Sequence, residues 1–296
     1  MQTIKLGIDN GNYNTKSSDR MLYASGFTVQ DTEFIVPDMQ LFYNDKYYAI
    51  GDKRMSFQQD KTLDDDTFIL SLPAMANAMK LAATNEAEFI LGVGLPMELY
   101  GTQRVAFRNY FLREKQTFVF EDISYSATIR DVQVFPQGYA ALCKHFNEFC
   151  DYHNVTIVDI GGYTVDIMTV TDNKPSKSSC ISLRKGTITL FNNIRGLLQQ
   201  HNIILSDELI GAAIRGKTEH IEEEFIHTVV DAQVQAYVKD LLNALRERGY
   251  DLQLPIAFAG GGAELLGDWL KTDGVNAKII LDRFANAEGY KALIRP

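Results

Sequence analysis

The segment Thr156–Thr169, TIVDIGGYTVDIMT, leaves the backbone few options. Ile157 and Val158 are apolar, Asp159 follows, and Gly161 and Gly162 turn the chain before Thr164, Val165, Asp166 and Ile167 alternate. Alternation around a Gly-Gly pair predicts a β-hairpin with a carboxylate at the mouth of its turn. Glycine exposes backbone N–H groups, so an anion such as phosphate can approach them. A carboxylate beside those donors would repel phosphate unless a divalent cation stood between them. Taken alone, an ordinary tight hairpin is the plainer account.

A second copy lies near the N-terminus. Ile4–Lys16, IKLGIDNGNYNTK, sends Ile4, Leu6 and Ile8 to one side and then places Asp9 ahead of a polar, glycine-containing turn. DNGNYNTK and DIGGYTVD thus share an order: apolar strand, Asp, turn with Gly, polar residue. Their repetition predicts two related half-domains that offer a hairpin each to one ligand from opposite sides.

Composition narrows the partners. The 296 residues suffice for one large core or two domains. A formal charge of −9 disfavours direct, sequence-independent binding to DNA and permits a basic protein partner. No apolar run approaches the ~20 residues that span a bilayer, and no secretory leader pattern opens the chain, so a cytoplasmic protein without a membrane partner is expected. Cys143, Cys150 and Cys180 form no CxxC pair; Cys143 and Cys150, seven apart, read as buried thiols on one helix face. The five histidines have no metal-ligand spacing.

Between the hairpins, EFIVPDM and LFYNDKYYAIGD read as strands of a small aromatic-rich sheet, with Asn44-Asp45 as a turn. Asp60 and Asp64–Asp66 read as a solvated loop. A helix is expected over 70–83, with Pro73 in its first turn, and Glu88–Pro96, EFILGVGLP, reads as a buried strand. Its Gly-x-Gly lacks the third glycine of a dinucleotide site. Gln137 follows the strand 132–136 and opens the helix GYAALCKHFNEFC; it is either a bland helix-start residue or an amide that orients a water.

Beyond the second hairpin, strand 180–183 leads to helix 187–200. Helix 219–249 follows, with Ile221, Phe225, Val229, Tyr237, Leu241 and Leu245 as its apolar stripe. Then strand 255–258 enters Gly260, Gly261 and Gly262, a turn that brings backbone close to a flat or anionic ligand. Gly211–Thr218, GAAIRGKT, fits the P-loop pattern by letter, but Ser206-Asp207 reads as a cap with ELIGAAIRG as its helix, whereas a P-loop must leave a buried strand.

The order Asp hairpin, strand leading to Gln, Asp-Gly-Gly hairpin and Gly-Gly-Gly turn resembles the actin, sugar-kinase and DnaK-type superfamily of ATPases, from Ile4 to the C-terminus. DNGNYNTK resembles its first phosphate hairpin, FPQGYAAL its connecting segment, DIGGYTVD its second phosphate hairpin and AFAGGGAELL its adenosine turn. LGVGLPMELYG and FANAEGYKALI are most similar to the ParM/StbA group of plasmid-segregation actin-like proteins.

This resemblance implies an α/β, actin-like ATPase fold of two related halves with a nucleotide cleft between them. The first half would span about 1–150, with a small inserted subdomain at about 21–66. The second would span about 151–296, with a small helical subdomain at about 206–251. Asp9 and Asp159 would hold Mg2+ through waters. Backbone of Asn10, Gly11, Asn12, Tyr13 and Asn14, and of Gly161, Gly162, Tyr163 and Thr164, would cradle the phosphates of ATP, or GTP. Lys16 matches a phosphate-contacting lysine, and Gly260, Gly261 and Gly262 would face the adenosine. Gln137 would position the attacking water; members of the group often carry an acid there, so the amide bears on hydrolysis more than on binding. The implied function is a nucleotide-driven filament that segregates plasmid DNA through a ParR-like adaptor on a centromere-like site. The alternative is a monomeric small-molecule kinase of the same superfamily.

Overall fold

The computed structural model describes residues 1–35, 37–172, 174–176, 179–217 and 224–295. They form two compact units, Met1–Lys144 with Phe284–Pro296, and His145–Arg283. The last helix therefore belongs with the first unit, whereas the sequence reading ran the second half from 151 to 296. Each unit encloses its own hydrophobic core.

The first unit starts with β1 (Gln2–Asn10), buried from Leu6 onward, which turns back into β2 (Asn14–Ser17) and then β3 (Leu22–Ala24). β4 (Phe27–Gln30), β5 (Gln40–Tyr43) and β6 (Lys46–Ile50) form the small outer part of the sheet. Asn44 and Asp45 both have positive φ, 49° and 59°, the backbone that a two-residue hairpin turn demands. The expected strand EFIVPDM does not form among its described residues, and Val36 lies outside them. β4 stops at Gln30; Pro37, which has no N–H to donate, stands in the way of a further strand.

α1 (Asp66–Ile69) and α2 (Leu72–Leu81) follow, the latter with Pro73 in its first turn as expected. β7 (Glu86–Leu95) is buried along nearly its whole length, as its unbroken apolar run requires. After α3 (Met97–Phe111) and β8 (Gln116–Phe120), the long β9 (Ile123–Pro136) runs parallel to β7 and leads into α4 (Tyr139–Lys144). Among the described residues the sheet order is β3-β2-β1-β7-β9-β8-β5-β6-β4.

The second unit opens with α5 (Phe146–Phe149), so the single helix read over GYAALCKHFNEFC is interrupted at His145, whose backbone is non-helical (φ −104°, ψ 23°). The interruption undoes the shared face of Cys143 and Cys150: Cys143 is half-buried and Cys150 exposed. β10 (Asn154–Ile160) and β11 (Val165–Thr171) form the second hairpin, with β12 (Lys174–Pro175) and β13 (Ile181–Leu183) both pairing β11. α6 (Thr187–Gln200) matches its expected span, and α7 (Asp207–Ile214) follows.

α8 (Glu224–Glu247) buries Ile226, Val230, Val234, Val238, Leu241 and Leu245. That stripe differs from the one read in sequence: Phe225 is 41 % exposed and lies edge-on to His201, and Ile221 falls outside the described residues. An unbroken i, i+4 run of valines fills the core better than the neighbouring face with its larger Phe225 and Tyr237. β14 (Ile256–Ala259) then runs parallel to β10, α9 (Gly260–Leu266) follows at once, and β15 (Ala277–Ile279) runs parallel to β14. Each unit thus repeats one local plan, an antiparallel hairpin whose first strand has a parallel neighbour on its other side.

α10 (Ala285–Leu293) packs on β1, β7 and α4 of the first unit. Glycines admit it: a Cβ on Gly7 would lie 1.9 Å from the Ala287 carbonyl oxygen, and one on Gly94 would lie 1.9 Å from the Tyr290 hydroxyl. The Gly-x-Gly of LGVGLP therefore makes room for a tyrosine, which stacks on Phe135 with ring centroids 6.0 Å apart. Because the obstacle at Gly7 is backbone, Gly7→Ala should destabilise the protein by about 1–3 kcal/mol in denaturant unfolding, whereas a cost under about 0.5 kcal/mol would contradict this packing.

Candidate functional site

In the first hairpin, β1 ends by delivering Asp9 to a position 4 % exposed, opposite Lys16 on β2. A carboxylate removed from water needs partners. Lys16 Nζ lies 3.2 Å from Asp9 Oδ2, and Gln137 donates from Nε2 to Asp9 Oδ1 at 3.2 Å. Three residues singled out in sequence, 128 positions apart at the extreme, therefore meet at one carboxylate. They meet because β1 and β9 flank β7, so both strands end at the same edge of the sheet.

The turn is tight. A Cβ on Gly11 would come within 2.7 Å of the Asn14 carbonyl oxygen. Asn10 donates from Nδ2 to Ser71 Oγ at 2.9 Å, and Asn12 Oδ1 accepts from the Gln58 N–H at 3.3 Å. These two side chains thus bond to other parts of the protein. Tyr13 carries the Arg54 guanidinium 3.9 Å above its ring.

Gln137 is fixed through the next residue. Gly138 has φ +71°, and its N–H donates to Oδ1 of Asn286 on α10 at 2.9 Å. Asn286 is 6 % exposed. Sequence reasoning missed it because a lone Asn in FANAEGYKAL carries no local pattern.

In the second unit Asp159, 7 % exposed, faces Asp166, 8 % exposed, in the β10–β11 register. The cross-strand partner of Asp9 is a lysine; that of Asp159 is another acid. Thr164 Oγ1 donates to Asp166 Oδ2 at 3.1 Å, and the Gly161 N–H closes the turn on the Thr164 carbonyl at 2.8 Å. The carbonyls of Gly161, Gly162 and Tyr163 accept from the N–H groups of Thr187, Ile188 and Gly186, seating the turn on the start of α6. Asp166 lies inside DIGGYTVD, so its alternation with Thr164 was the available signal.

The Gly-Gly-Gly turn rests on the same hairpin. A Cβ on Gly260, at φ +86°, would lie 2.2 Å from Asp159 Oδ1, and one on Gly262 would lie 2.3 Å from Ile160 Cγ2. Gly261 would meet nothing within 4 Å. Behind them, Glu264 on α9 accepts both Nε (2.8 Å) and the terminal nitrogen of Arg283. That hydrogen bonding holds the Glu264 carboxyl below its ordinary range.

The P-loop look-alike begins inside a helix. Ser206 Oγ accepts from the Leu209 N–H at 3.3 Å and caps α7, which contains Gly211. Thr218 falls outside the described residues. Among the described residues no three His, Cys, Asp or Glu side chains gather as a metal cage, and no helix is long and apolar enough to cross a membrane.

Residues 7–139 match the family model of actin-like proteins, N-terminal domain, and residues 157–272 match that of archaeal actin homologue MreB-like, C-terminal. Between them the two models account for most of the chain, in the order the two hairpins require. The chain is an actin-like protein. Its fold is similar to that of an archaeal actin homologue crystallised with ADP: TM-score 0.75, 19 % identity, 98 % of each chain covered. It is also similar to Bacillus thuringiensis ParM with ATP, at TM-score 0.73 and 15 % identity over 99 % of this chain and 98 % of that one. A ParM in a 15-stranded filament from Clostridium botulinum gives TM-score 0.73 and 19 % identity, with 99 % of each chain covered. No curated protein compared with the sequence matches it significantly.

The Glu264–Arg283 pair makes the stability of this actin-like protein depend on pH. A carboxyl depressed on folding contributes fully above its unfolded value, about 4.3, and loses the contribution as pH falls through the lower folded value. Glu264→Gln should therefore lower the melting temperature at pH 7, and the gap from wild type should close in the acid range below about pH 4. A gap independent of pH would contradict the assignment.

Proposed function

We propose that this actin-like protein binds a magnesium nucleotide, ATP or GTP, with both hairpins, hydrolyses it, and assembles into filaments whose stability follows the nucleotide state. One observation carries the reading: each unit ends a buried strand in an aspartate at a tight glycine turn, and the first aspartate already holds Lys16 and Gln137.

The residues fit such a ligand. Gly11 and Gly161 sit where a Cβ would press on the turn's own backbone, so both turns stay tight and carry no side chain at that position. Asp159 and Asp166 in register are like charges that a divalent cation relieves. Mg2+ keeps several of its waters and uses one or two carboxylates plus phosphates, so one aspartate at each turn can serve it. The bound nucleotide would supply the phosphoanhydride that is cleaved.

Gln137 has a limited role open to it. Its Nε2 is donated to Asp9, so its Oε1 is the atom that can accept from a water and align it. An amide cannot take the proton as a carboxylate could, which predicts slow turnover. Lys16 and the turn amides bind and orient; Asp9 fixes Lys16 and Gln137 while holding its share of the hydrated metal.

The filament is read as a segregation device. With a net charge of −9 the body of the protein is poorly suited to grip DNA, so a basic, ParR-like adaptor on a centromere-like site would link filament to plasmid. Such a device would work in the cytoplasm, with further copies of the chain as its main partner.

Sedimentation with and without Mg2+-ATP or Mg2+-GTP tests the assembly, and polymer that appears only with nucleotide is expected. A protein that stays monomeric and passes the γ-phosphate to a sugar or acid would replace the reading with that of a kinase. Asp9→Ala with Asp159→Ala should abolish nucleotide binding in calorimetry. Gln137→Ala should cut turnover roughly 10- to 1,000-fold while nucleotide affinity changes less than about threefold.

A further inference from the structure

The rest of the chain leaves α3 half uncovered. Of its 15 residues only Phe107 and Phe111 are buried. Residues 97–106 include no buried one, and Val105 is 62 % exposed. Arg104 and Arg108, one helical turn apart, are exposed as well, and the helix carries a single acid, Glu98. Arg104 sits over the Tyr100 ring at 5.7 Å, and Arg108 Nη2 reaches Asp131 at 2.8 Å. Neither contact uses up the five N–H donors of a guanidinium, and a surface ion pair holds its partners weakly.

The second unit has a surface of the opposite sign. Beyond the end of α6 the chain passes His201 and reaches Ile204, which is 82 % exposed. Phe225, at the start of α8, lies against His201 with ring centroids 4.6 Å apart, so an exposed isoleucine and an exposed phenylalanine border one histidine. Exposed acids flank them: Glu208 in the first turn of α7 and Glu224, the first residue of α8. Arg195, the cation beside α7, is taken by Asp207.

An apolar patch rimmed by acids complements a valine flanked by arginines, in polarity and in sign. Both surfaces are uncovered within one chain, and a second copy supplies both halves of the match. We propose that α3 of one copy docks on the Ile204–Phe225 surface of the next, with Arg104 and Arg108 meeting Glu208 and Glu224. This contact rests on the filament reading above and gives it a specific interface. Because the two surfaces differ, every docked copy leaves one of each kind free, which lets the assembly grow as an open filament.

The test reverses charges in the full chain and reads sedimentation with Mg2+-ATP and Mg2+-GTP. One variant carries Arg104→Glu with Arg108→Glu, the other Glu208→Arg with Glu224→Arg. Each alone should raise the concentration needed for polymer about tenfold or more. Mixed in equal amounts they should polymerise again, because the α3 of each now matches the patch of the other. Melting temperature checks folding, and nucleotide affinity in calorimetry should stay within about twofold of wild type, since neither surface includes a residue of the two hairpins. Reversed chains that assemble as wild type does, or a mixture of folded chains that stays soluble, overturn the contact and leave the filament reading standing. Should a reversed chain not fold, Val105→Gln and Ile204→Gln keep every charge in place, and wild-type assembly in both is equally fatal. Wild-type protein that forms no polymer with either nucleotide overturns the filament reading itself, and this contact with it.

Discussion

Asp9 stands at the end of a buried strand, and its charge must be met by the protein rather than by water. Much of the first unit follows from that need. β2 has to turn back in a register that sets Lys16 opposite, and β9 has to run long enough beside β7 to bring Gln137 to the same edge. Gly138 must adopt a left-handed backbone to start α4 there, and Asn286 on α10 secures it. A carboxylate so constrained has few rotamers left, which is how a site pre-arranges charge before its ligand arrives.

The two hairpins share a backbone plan and differ in charge. Lysine answers aspartate across the first ladder; aspartate answers aspartate across the second. The repeat therefore does not make the units interchangeable: one hairpin sets a lysine across from its aspartate, while the other sets a second aspartate there. Their surroundings differ in the same sense. The second turn is seated on the start of α6 through its own carbonyls, whereas the Gln58 N–H and the Lys61 ammonium of the outer loop, with Ser71, brace the first.

What sequence revealed was whatever carried a local pattern. β1–β2 and β10–β11 announced themselves by alternation and glycine, β7 by its apolar run, α2 by small and apolar residues with Pro73 at its start, and α7 by its capping serine. Gln137 was legible as a junction residue, but its bond to Asp9 was not, because a contact across 128 positions leaves no trace in spacing. Lys61 was hidden for the opposite reason: its acidic neighbours suggested solvent, and only the fold turns it inward. The stripe on α8 slipped because two adjacent faces are both apolar and packing chose the valines. The break at His145 escaped because alanine and leucine before it favour helix and no glycine or proline marks the interruption.

The return of α10 to the first unit has a temporal consequence. Residues 145–283 form a self-contained unit with its own core, and on a ribosome they emerge before Ala285–Leu293 exists to cover the glycine-lined face of β1 and β7. The later-encoded unit is thus free to finish first, and the earlier one waits, its Gln137–Gly138 turn unsecured, until residues 285–293 have been made. A chain stopped short of residue 285 would have the second hairpin built and the first still loose, so the first hairpin matures only after the second unit has been made.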